Sequence, residues 1–131
     1  MGNTNEKKII RTEKAPKAIG PYSVATTANH FVFTAGQIGL NPDNGTLVDG
    51  GVEAETRQAL INLENILIES GSGLKHVLKT TVFLKDINDF SKMNILYAEF
   101  FTENPPARSA VQVAALPKGA LVEIEAVALI P

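Results

Sequence analysis

The C-terminal segment, residues 120–130, constrains the fold more strongly than any other part of the chain. A β-strand places alternate side chains on opposite faces of its sheet. Every even-numbered residue of this segment is apolar, and the odd-numbered residues are apolar too, apart from Glu123 and Glu125. Neither face of such a strand is suited to water. We therefore expect one face to lie in the core and the other to be covered by a second subunit, with the two carboxylates near the contact.

Apolar periodicity predicts two amphipathic helices. Over residues 52–70 apolar side chains recur at spacings of three and four, and a Gly-Ser-Gly stretch at 71–73 ends the helix. The polar face of this helix carries Glu55, Arg57, Gln58, Asn62, Glu64 and Glu69. A second helix is predicted over residues 89–101, with Asn88 or Asp89 as its N-cap. One face of the second helix carries Phe90, Asn94, Tyr97 and Phe101.

The remaining segments predict short strands. They lie near residues 9–10, after Tyr22, and over residues 31–38, 77–85, 108–113 and 120–130. Gly36 and Gln37 interrupt the strand over 31–38, and a glycine there permits either a β-bulge or the close approach of a ligand. Two helices against one mixed sheet indicate a two-layer α+β fold. The 131 residues are enough for one domain, and we expect residues 1–7 to be flexible.

Composition excludes several classes of site. The chain has no cysteine, which rules out disulfides, thiolate zinc sites and cysteine nucleophiles, and its two histidines rule out a multi-histidine metal site. The 12 basic and 14 acidic residues leave a net charge of −2, which argues against nucleic acid as the main partner. No stretch approaches the roughly 20 apolar residues of a membrane span. The polar start has no apolar signal-peptide core, so we expect a cytoplasmic protein.

Two types of charged residue stand out on the predicted C-terminal strands. The planar guanidinium of Arg108 suits a substrate carboxylate, which it can bind with two parallel hydrogen bonds. Alternatively, Arg108 is a surface or interface residue that pairs with Glu123 or Glu125. Apolar neighbours partly desolvate Glu123, which raises its pKa and suits general acid–base catalysis near neutral pH. The alternative for both glutamates is a solvated strand face or a structural ion pair.

Two further residues are candidates for contact with a ligand. Tyr22 follows Gly20 and Pro21, which fix the backbone ahead of the phenol. Its hydroxyl either orients a substrate or belongs to a ring that only packs. Asn94 interrupts the apolar face of the second helix, and a buried amide needs hydrogen-bond partners. Asn94 therefore either braces a loop or faces a binding site.

Five blocks of the sequence resemble the RidA (YjgF-type) family of enamine/imine deaminases. They are residues 15–23 (APKAIGPYS), 34–38 (TAGQI), 79–86 (KTTVFLKD), 93–101 (MN, followed by Y and FF) and 106–126, which begins PARS and ends VEIEA. The resemblance covers about residues 9–130, in the family's order and spacing. Several independent blocks make a chance resemblance very improbable.

The resemblance implies a fold, an assembly and an activity. The subunit is expected to be chorismate-mutase-like, and three subunits to form a homotrimer whose sheets face a central barrel, with sites in the clefts between subunits. The family's deaminases use no cofactor. They hydrolyse 2-imino acids such as 2-iminobutanoate and 2-iminopropanoate to 2-oxo acids and ammonia. These substrates arise from enamines that pyridoxal-phosphate dehydratases release from threonine and serine.

The resemblance also implies roles for five residues. Arg108 matches the arginine that clamps the substrate carboxylate, and Glu123 matches the glutamate that holds and activates a water. Tyr22 matches the tyrosine that lines the pocket. Gly36 matches the glycine whose backbone meets the nitrogen end of the substrate, and Asn94 matches a pocket asparagine with a positioning role.

One departure and two rival functions accompany the resemblance. Many members carry a cysteine two residues after the arginine, where this chain has Ala110, so no redox control through that position is expected. The first rival is an endoribonuclease that inhibits translation, and the second is a non-catalytic module that binds carboxylic acids for regulation. A clamp arginine is needed for deamination and for carboxylate binding, whereas Glu123 favours turnover.

Overall fold

A computed structural model describes residues 5–131. The expected flexible start at residues 1–7 therefore lies largely outside the described residues. The described elements are strands β1 (Lys8–Ile10), β2 (Ala25–Ala28) and β3 (Phe31–Thr34), helix α1 (Gly51–Glu69), strand β4 (Val77–Leu84), helix α2 (Phe90–Phe100), and strands β5 (Ala107–Gln112) and β6 (Val122–Leu129). Three short 3₁₀ turns lie at Leu74–His76, Ile87–Asp89 and Pro117–Gly119.

The strands form one mixed sheet in the order β1-β2-β3-β6-β4-β5. Neighbouring strands are antiparallel except for β4 and β5, which are parallel and are joined through α2. The predicted α+β fold, with one mixed sheet and two helices, is confirmed. In the part of the chain that the structure describes, neither helix is both long and apolar enough to cross a membrane.

Strand β6 lies centrally in the sheet and has the two faces that its alternation predicts. Val122, Ile124 and Ala128 are fully buried and face the helices, where they pack with Leu63 and Leu67 of α1 in the main core. Burial of each of the larger side chains contributes roughly 1.5–3 kcal/mol. The opposite side of the sheet, which we call the open face, is only partly covered. It carries Phe31, Phe33, Thr81, Phe83, Glu123, Glu125, Val127 and Leu129.

Helix α1 ends where the Gly-Ser-Gly stretch predicts. Gly71 adopts a φ of 86°, which a glycine tolerates without strain. The Ser72 amide then donates to the Leu67 carbonyl at 2.8 Å, and the Gly71 amide donates to Ile68 at 3.0 Å. These two bonds are the Schellman motif, which satisfies carbonyls that the last helical turn leaves without partners.

Asp89, one of the two predicted N-caps, is the N-cap of α2, although its side chain makes no capping bond. In the turn before α2, Asp86 accepts from the Asn88 amide at 2.9 Å. Two local predictions were wrong. The polar face assigned to α1 is partly internal, because Glu55 and Asn62 are buried. Two loops fold over that side of the helix, and their backbone groups need hydrogen-bond partners there.

The second wrong prediction is the length of β3, which ends at Thr34 rather than continuing to Ile38. Phe33 pairs with Val127, whereas Gln37 pairs with Ile124, so four residue steps oppose three. The extra residue makes a β-bulge. The Thr34 hydroxyl accepts from the Ala126 amide at 3.0 Å and so replaces a backbone bond that the bulge removes.

Candidate functional site

Arg108 lies on the helix-covered face of β5, beneath helix α2. It is in register with the buried Thr80 of β4. Its Nη1 donates to Asn94 Oδ1 at 2.8 Å. The guanidinium carbon lies 4.7 Å from the ring centre of Tyr97 and 5.2 Å from that of Phe90. Cation–π contacts and the Asn94 hydrogen bond together hold the guanidinium plane in one orientation.

The guanidinium of Arg108 has no acidic partner among residues 5–131. Among residues 5–131, the ion pair within 4.0 Å joins Arg57 and Glu99, which are both half exposed. The alternative in which Arg108 pairs with Glu123 or Glu125 is therefore not realised inside one chain. An arginine carries five N–H donors, and only one bond to Asn94 is formed among the described residues. The remaining donors are free to receive an anionic group.

The ring of Tyr97, on α2, packs against the guanidinium of Arg108. Its hydroxyl is 2.7 Å from the hydroxyl of Thr80, and this contact is buried. Burial raises the pKa of Tyr97, while the Thr80 hydrogen bond and the charge of Arg108 act in the opposite direction. The phenol therefore stays neutral at physiological pH and keeps its ring against the guanidinium. Of the two alternatives for Asn94, the contact with Arg108 favours a part in a binding site over bracing a loop.

Glu123 lies on the open face of β6, beside the bulge that follows β3. Its side chain borders a cavity of about 330 Å³, which we call the Glu123 cavity. The lining includes Lys17, Tyr22, Gly36, Gln37, Lys118 and Glu123. Burial first, and then the negative charge of Glu125, raises the pKa of Glu123 above its ordinary value of 4.5. This carboxylate is therefore a stronger base than an exposed glutamate.

Gly36 permits the close contact between the bulge and Glu123. A Cβ atom at position 36 would lie 2.6 Å from Cδ of Glu123 and 2.8 Å from its Oε2. Such separations are shorter than van der Waals contact, so only a glycine leaves the carboxylate in this place. Of the two interpretations of Gly36, the structure shows the β-bulge, and the group that lies close to the glycine is Glu123 of the same chain.

Replacing Gly36 with alanine is expected to displace the Glu123 carboxylate while the fold survives. The clashing atoms belong to the end of a flexible side chain, so the side chain moves rather than the backbone. We expect a fall of about tenfold to a hundredfold in any turnover that depends on Glu123, because small misplacements of a reacting group are costly. The melting temperature should change little. Gly73→Ala is the matched control, since a Cβ there meets no atom within 4 Å; equal activity in both variants would contradict the prediction.

Tyr22 lies at the edge of the Glu123 cavity, on the irregular segment that precedes β2. Its ring is about half exposed, and its hydroxyl accepts a long hydrogen bond of 3.4 Å from the Ile19 amide. The Tyr22 amide donates to the Gly20 carbonyl at 2.8 Å, which tightens the turn. The phenol is thus presented at the cavity mouth with most of its hydrogen-bonding capacity unused.

Comparison with known proteins identifies the family of this chain. A family model described as endoribonuclease L-PSP matches residues 12–130. A RutC family protein of Pyrococcus horikoshii is 54% identical over 122 residues, which cover 93% of this chain and 97% of the relative. The human 2-iminobutanoate/2-iminopropanoate deaminase is 52% identical over 123 residues, 94% of this chain and 90% of the human protein. The chain belongs to the RidA (YjgF-type) family.

A solved RidA-family structure extends the likeness to three dimensions. The crystal structure of E. coli TdcF with bound serine is 42% identical to this chain and has a TM-score of 0.89. The alignment covers 93% of this chain and 98% of that one. The fold described above is therefore the fold of that protein.

Within this RidA-family chain the predicted site residues form two separate groups. Tyr22, Gly36 and Glu123 meet at the Glu123 cavity, whereas Asn94 and Arg108 meet on the helix-covered face. Val111, three residues beyond Arg108, is in register with Glu123 through β4. The Cα atoms of Arg108 and Glu123 are therefore about 10 Å apart along the strands and about 10 Å apart across them, or about 14 Å in all, on opposite faces.

Several residues near these two groups were not singled out from the sequence as site residues. Phe90 and Tyr97 were placed on one helix face, but Arg108 beneath them became evident only from the parallel pairing of β4 and β5. Lys118 lines the Glu123 cavity from a turn with a φ of 58°, and its Nζ donates to the Gly45 carbonyl at 3.2 Å. Among the described residues, no group of three or more acidic or histidine side chains is placed to hold a metal ion.

Proposed function

We propose that this protein is a hydrolytic deaminase that converts 2-imino acids, such as 2-iminobutanoate and 2-iminopropanoate, into 2-oxo acids and ammonia. The proposal places this activity in one cytoplasmic domain that needs no cofactor. The observation that carries it is the half-buried guanidinium of Arg108, which Asn94 and two rings orient but which no acidic side chain of the described residues neutralises. Such a group is prepared for the carboxylate of an imino acid. The names of the human relative and of serine-bound TdcF are in keeping with a small amino-acid-like substrate.

The proposed chemistry requires only positioning and proton transfer. Two hydrogen bonds from Arg108 hold the carboxylate and leave the protonated imine carbon open to attack. The Glu123 carboxylate accepts a proton from water as the water oxygen bonds to that carbon. The same carboxyl then donates the proton to nitrogen, and the C–N bond breaks with its electron pair leaving on ammonia. As the carbonyl forms, the Glu123 carboxylate accepts the hydroxyl proton and passes it to the departing ammonia. The products are a 2-oxo acid and ammonium, so atoms and charge balance.

The two groups can act on one substrate only if they come from different copies of the chain. A four-carbon imino acid spans roughly 5 Å between its carboxylate and its far end, which is much less than the separation within one chain. We propose a homotrimer in which the open faces surround a central barrel. Each cleft then receives Arg108 and Asn94 from one subunit and Tyr22, Gly36 and Glu123 from its neighbour. The exposed aromatic rings of Phe31 and Phe33 support this assembly, because the neighbouring subunits would cover them.

The experiment that tests the activity is a coupled trapping assay. Threonine dehydratase, or an amino-acid oxidase, generates the imine, and semicarbazide traps whatever escapes hydrolysis. We expect the protein to suppress formation of the semicarbazone of the imine in proportion to its concentration. No suppression across several imino acids would exclude the deaminase and leave the carboxylic-acid-binding module, which a thermal-shift screen of small carboxylic acids would then test.

The trimer makes a prediction that does not depend on the substrate. Sedimentation at micromolar concentration should give three times the chain mass of 14.0 kDa, and a species of 14.0 kDa alone would contradict the proposal. A second measurement tests where the residues come from. Equal mixing and reassembly of Arg108→Ala and Glu123→Gln chains should restore activity in about a quarter of the clefts, because only that fraction pairs two intact residues.

The endoribonuclease named in the family description is the remaining rival. RNA binding through phosphates falls steeply with salt concentration. The net charge of −2 offers little for phosphates, and we expect neither salt-dependent binding of single-stranded RNA nor its cleavage. Salt-dependent cleavage of RNA that persists in the purified protein and is lost in Arg108→Ala would favour the endoribonuclease.

A further inference from the structure

Helix α1 contacts two of the backbone segments that border the Glu123 cavity, although neither contact was expected from its sequence pattern. The first contact is made by Glu55, which is 6% exposed. Its Oε1 accepts from the Leu121 amide at 2.9 Å. Leu121 lies just before β6 and two residues before Glu123. Burial raises the pKa of Glu55, and the backbone hydrogen bond partly offsets this.

The second contact is made by Asn62, two helical turns further along the same side of α1. This side chain is fully buried. Its Nδ2 donates to the carbonyls of Leu40 at 2.9 Å and Ile38 at 3.3 Å, and its Oδ1 accepts from Gln58 at 2.9 Å. All the hydrogen-bonding atoms of the amide are thus used. They hold the segment that follows the bulge and Gly36.

The loop that follows the bulge also lies directly on the helix backbone. A Cβ at Gly39 would be 2.7 Å from the Cα of Glu55. The loop and β6 are in turn joined to each other. Gln37 and Ile124 exchange two backbone hydrogen bonds of 2.8 and 3.0 Å. The loop after the bulge, helix α1 and strand β6 therefore each contact the other two, next to the place where Gly36 lies against Glu123.

We infer that Glu55 and Asn62 are positioning residues that set the place of the Glu123 carboxylate, a role that rests on the proposed deaminase function. Glu55 fixes where β6 begins, and Asn62 fixes the height of the loop above the helix. Neither residue contacts the cavity, so each acts through backbone. The alternative is a role in stability alone, in which loss of either side chain lowers the melting temperature but leaves each folded site equally active.

The test compares Glu55→Ala with Glu55→Gln, whose amide oxygen can still accept from Leu121. We expect the alanine variant to lose about tenfold in kcat while KM changes by less than about threefold, because the Arg108 clamp is untouched. The glutamine variant should stay within about twofold of wild type. Glu53→Ala, an exposed change on the same helix, is the control. Unchanged kcat in folded Glu55→Ala protein would overturn the inference.

A measurement without substrate separates this inference from the proposed function. NMR titration of the Glu123 carboxyl reports its surroundings, which include Glu125, Lys17 and Lys118. In Glu55→Ala the pKa of Glu123 should move toward 4.5 as the carboxylate becomes more exposed, and in Glu55→Gln it should stay raised. If wild type fails to hydrolyse imines but these titrations behave as expected, the positioning stands and the deaminase falls. If Glu55→Ala does not fold, Glu55→Asp, which is one methylene too short to reach Leu121, replaces it.

Discussion

Arg108→Ala is expected to abolish most imine hydrolysis, chiefly through weaker binding of substrate. Two charge-assisted hydrogen bonds to the substrate carboxylate are lost, at about 3 kcal/mol in total, which corresponds to roughly a hundredfold in kcat/KM. Semicarbazide competition at several substrate levels measures this ratio. Arg108→Lys should recover only part of the loss, because an ammonium keeps the charge but lacks the planar fork.

The chain offers a matched control for Arg108. Arg57→Ala removes the same side chain from an exposed ion pair with Glu99, and exposed pairs contribute little to stability. Arg57→Ala should therefore retain wild-type hydrolysis and wild-type melting. If Arg108→Ala hydrolysed imines as fast as Arg57→Ala, the carboxylate clamp would be assigned to the wrong residue.

Glu123→Gln is expected to lower kcat by about a hundredfold to ten-thousandfold, which is the usual range for a general base. In wild type the carboxylate must be ionised to accept the proton of water. Because burial and Glu125 raise the pKa of Glu123 above 4.5, activity should rise with pH through that raised pKa and reach a plateau above it. The pH profile of kcat/KM measures this rise, which is the acidic limb of the profile. The residual activity of Glu123→Gln should not show the same acidic limb.

Glu125→Gln tests the cause of that pKa. It removes the like charge but leaves the burial of Glu123, so the acidic limb should move to lower pH without vanishing. Activity on the plateau above the limb should remain close to that of wild type, because Glu123 is ionised there in both proteins. A limb that stays in place would mean that another group controls the profile.

Much of the fold could be predicted because its signals are local. The alternation over residues 120–130 identified the buried face of β6, and the apolar spacing over 52–70 identified α1 to within one residue at each end. The errors have a common cause. The errors concern the end of β3 and the burial of Glu55 and Asn62. All three depend on loops from distant parts of the chain that pack against these residues, and a local sequence pattern does not predict where such a loop packs.

The candidate site could be predicted as a set of residues but not as an arrangement. Chemistry and family resemblance pointed to Arg108 and Glu123 separately. Their placement on opposite faces follows from pairing: Arg108 is aligned with the buried Thr80, whereas Glu123 is aligned with Phe83 on the open face. Strand alternation predicts which residues of one strand share a face, but it does not predict how the faces of two strands are matched.

The separation of about 14 Å between the Cα atoms of Arg108 and Glu123 also makes them energetically independent in the unassembled chain. Arg108 contacts Asn94, Phe90 and Tyr97, whereas Glu123 lies against Gly36. The effects of substitutions at the two positions on the free energy of unfolding should therefore add to within about 0.5 kcal/mol. Mutation can then alter one half of the site without disturbing the other. Under the proposed function, a single change at Glu123 would leave a protein that still binds carboxylic acids but no longer hydrolyses them. The proposed enzyme is thus one substitution away from a protein that only binds such acids.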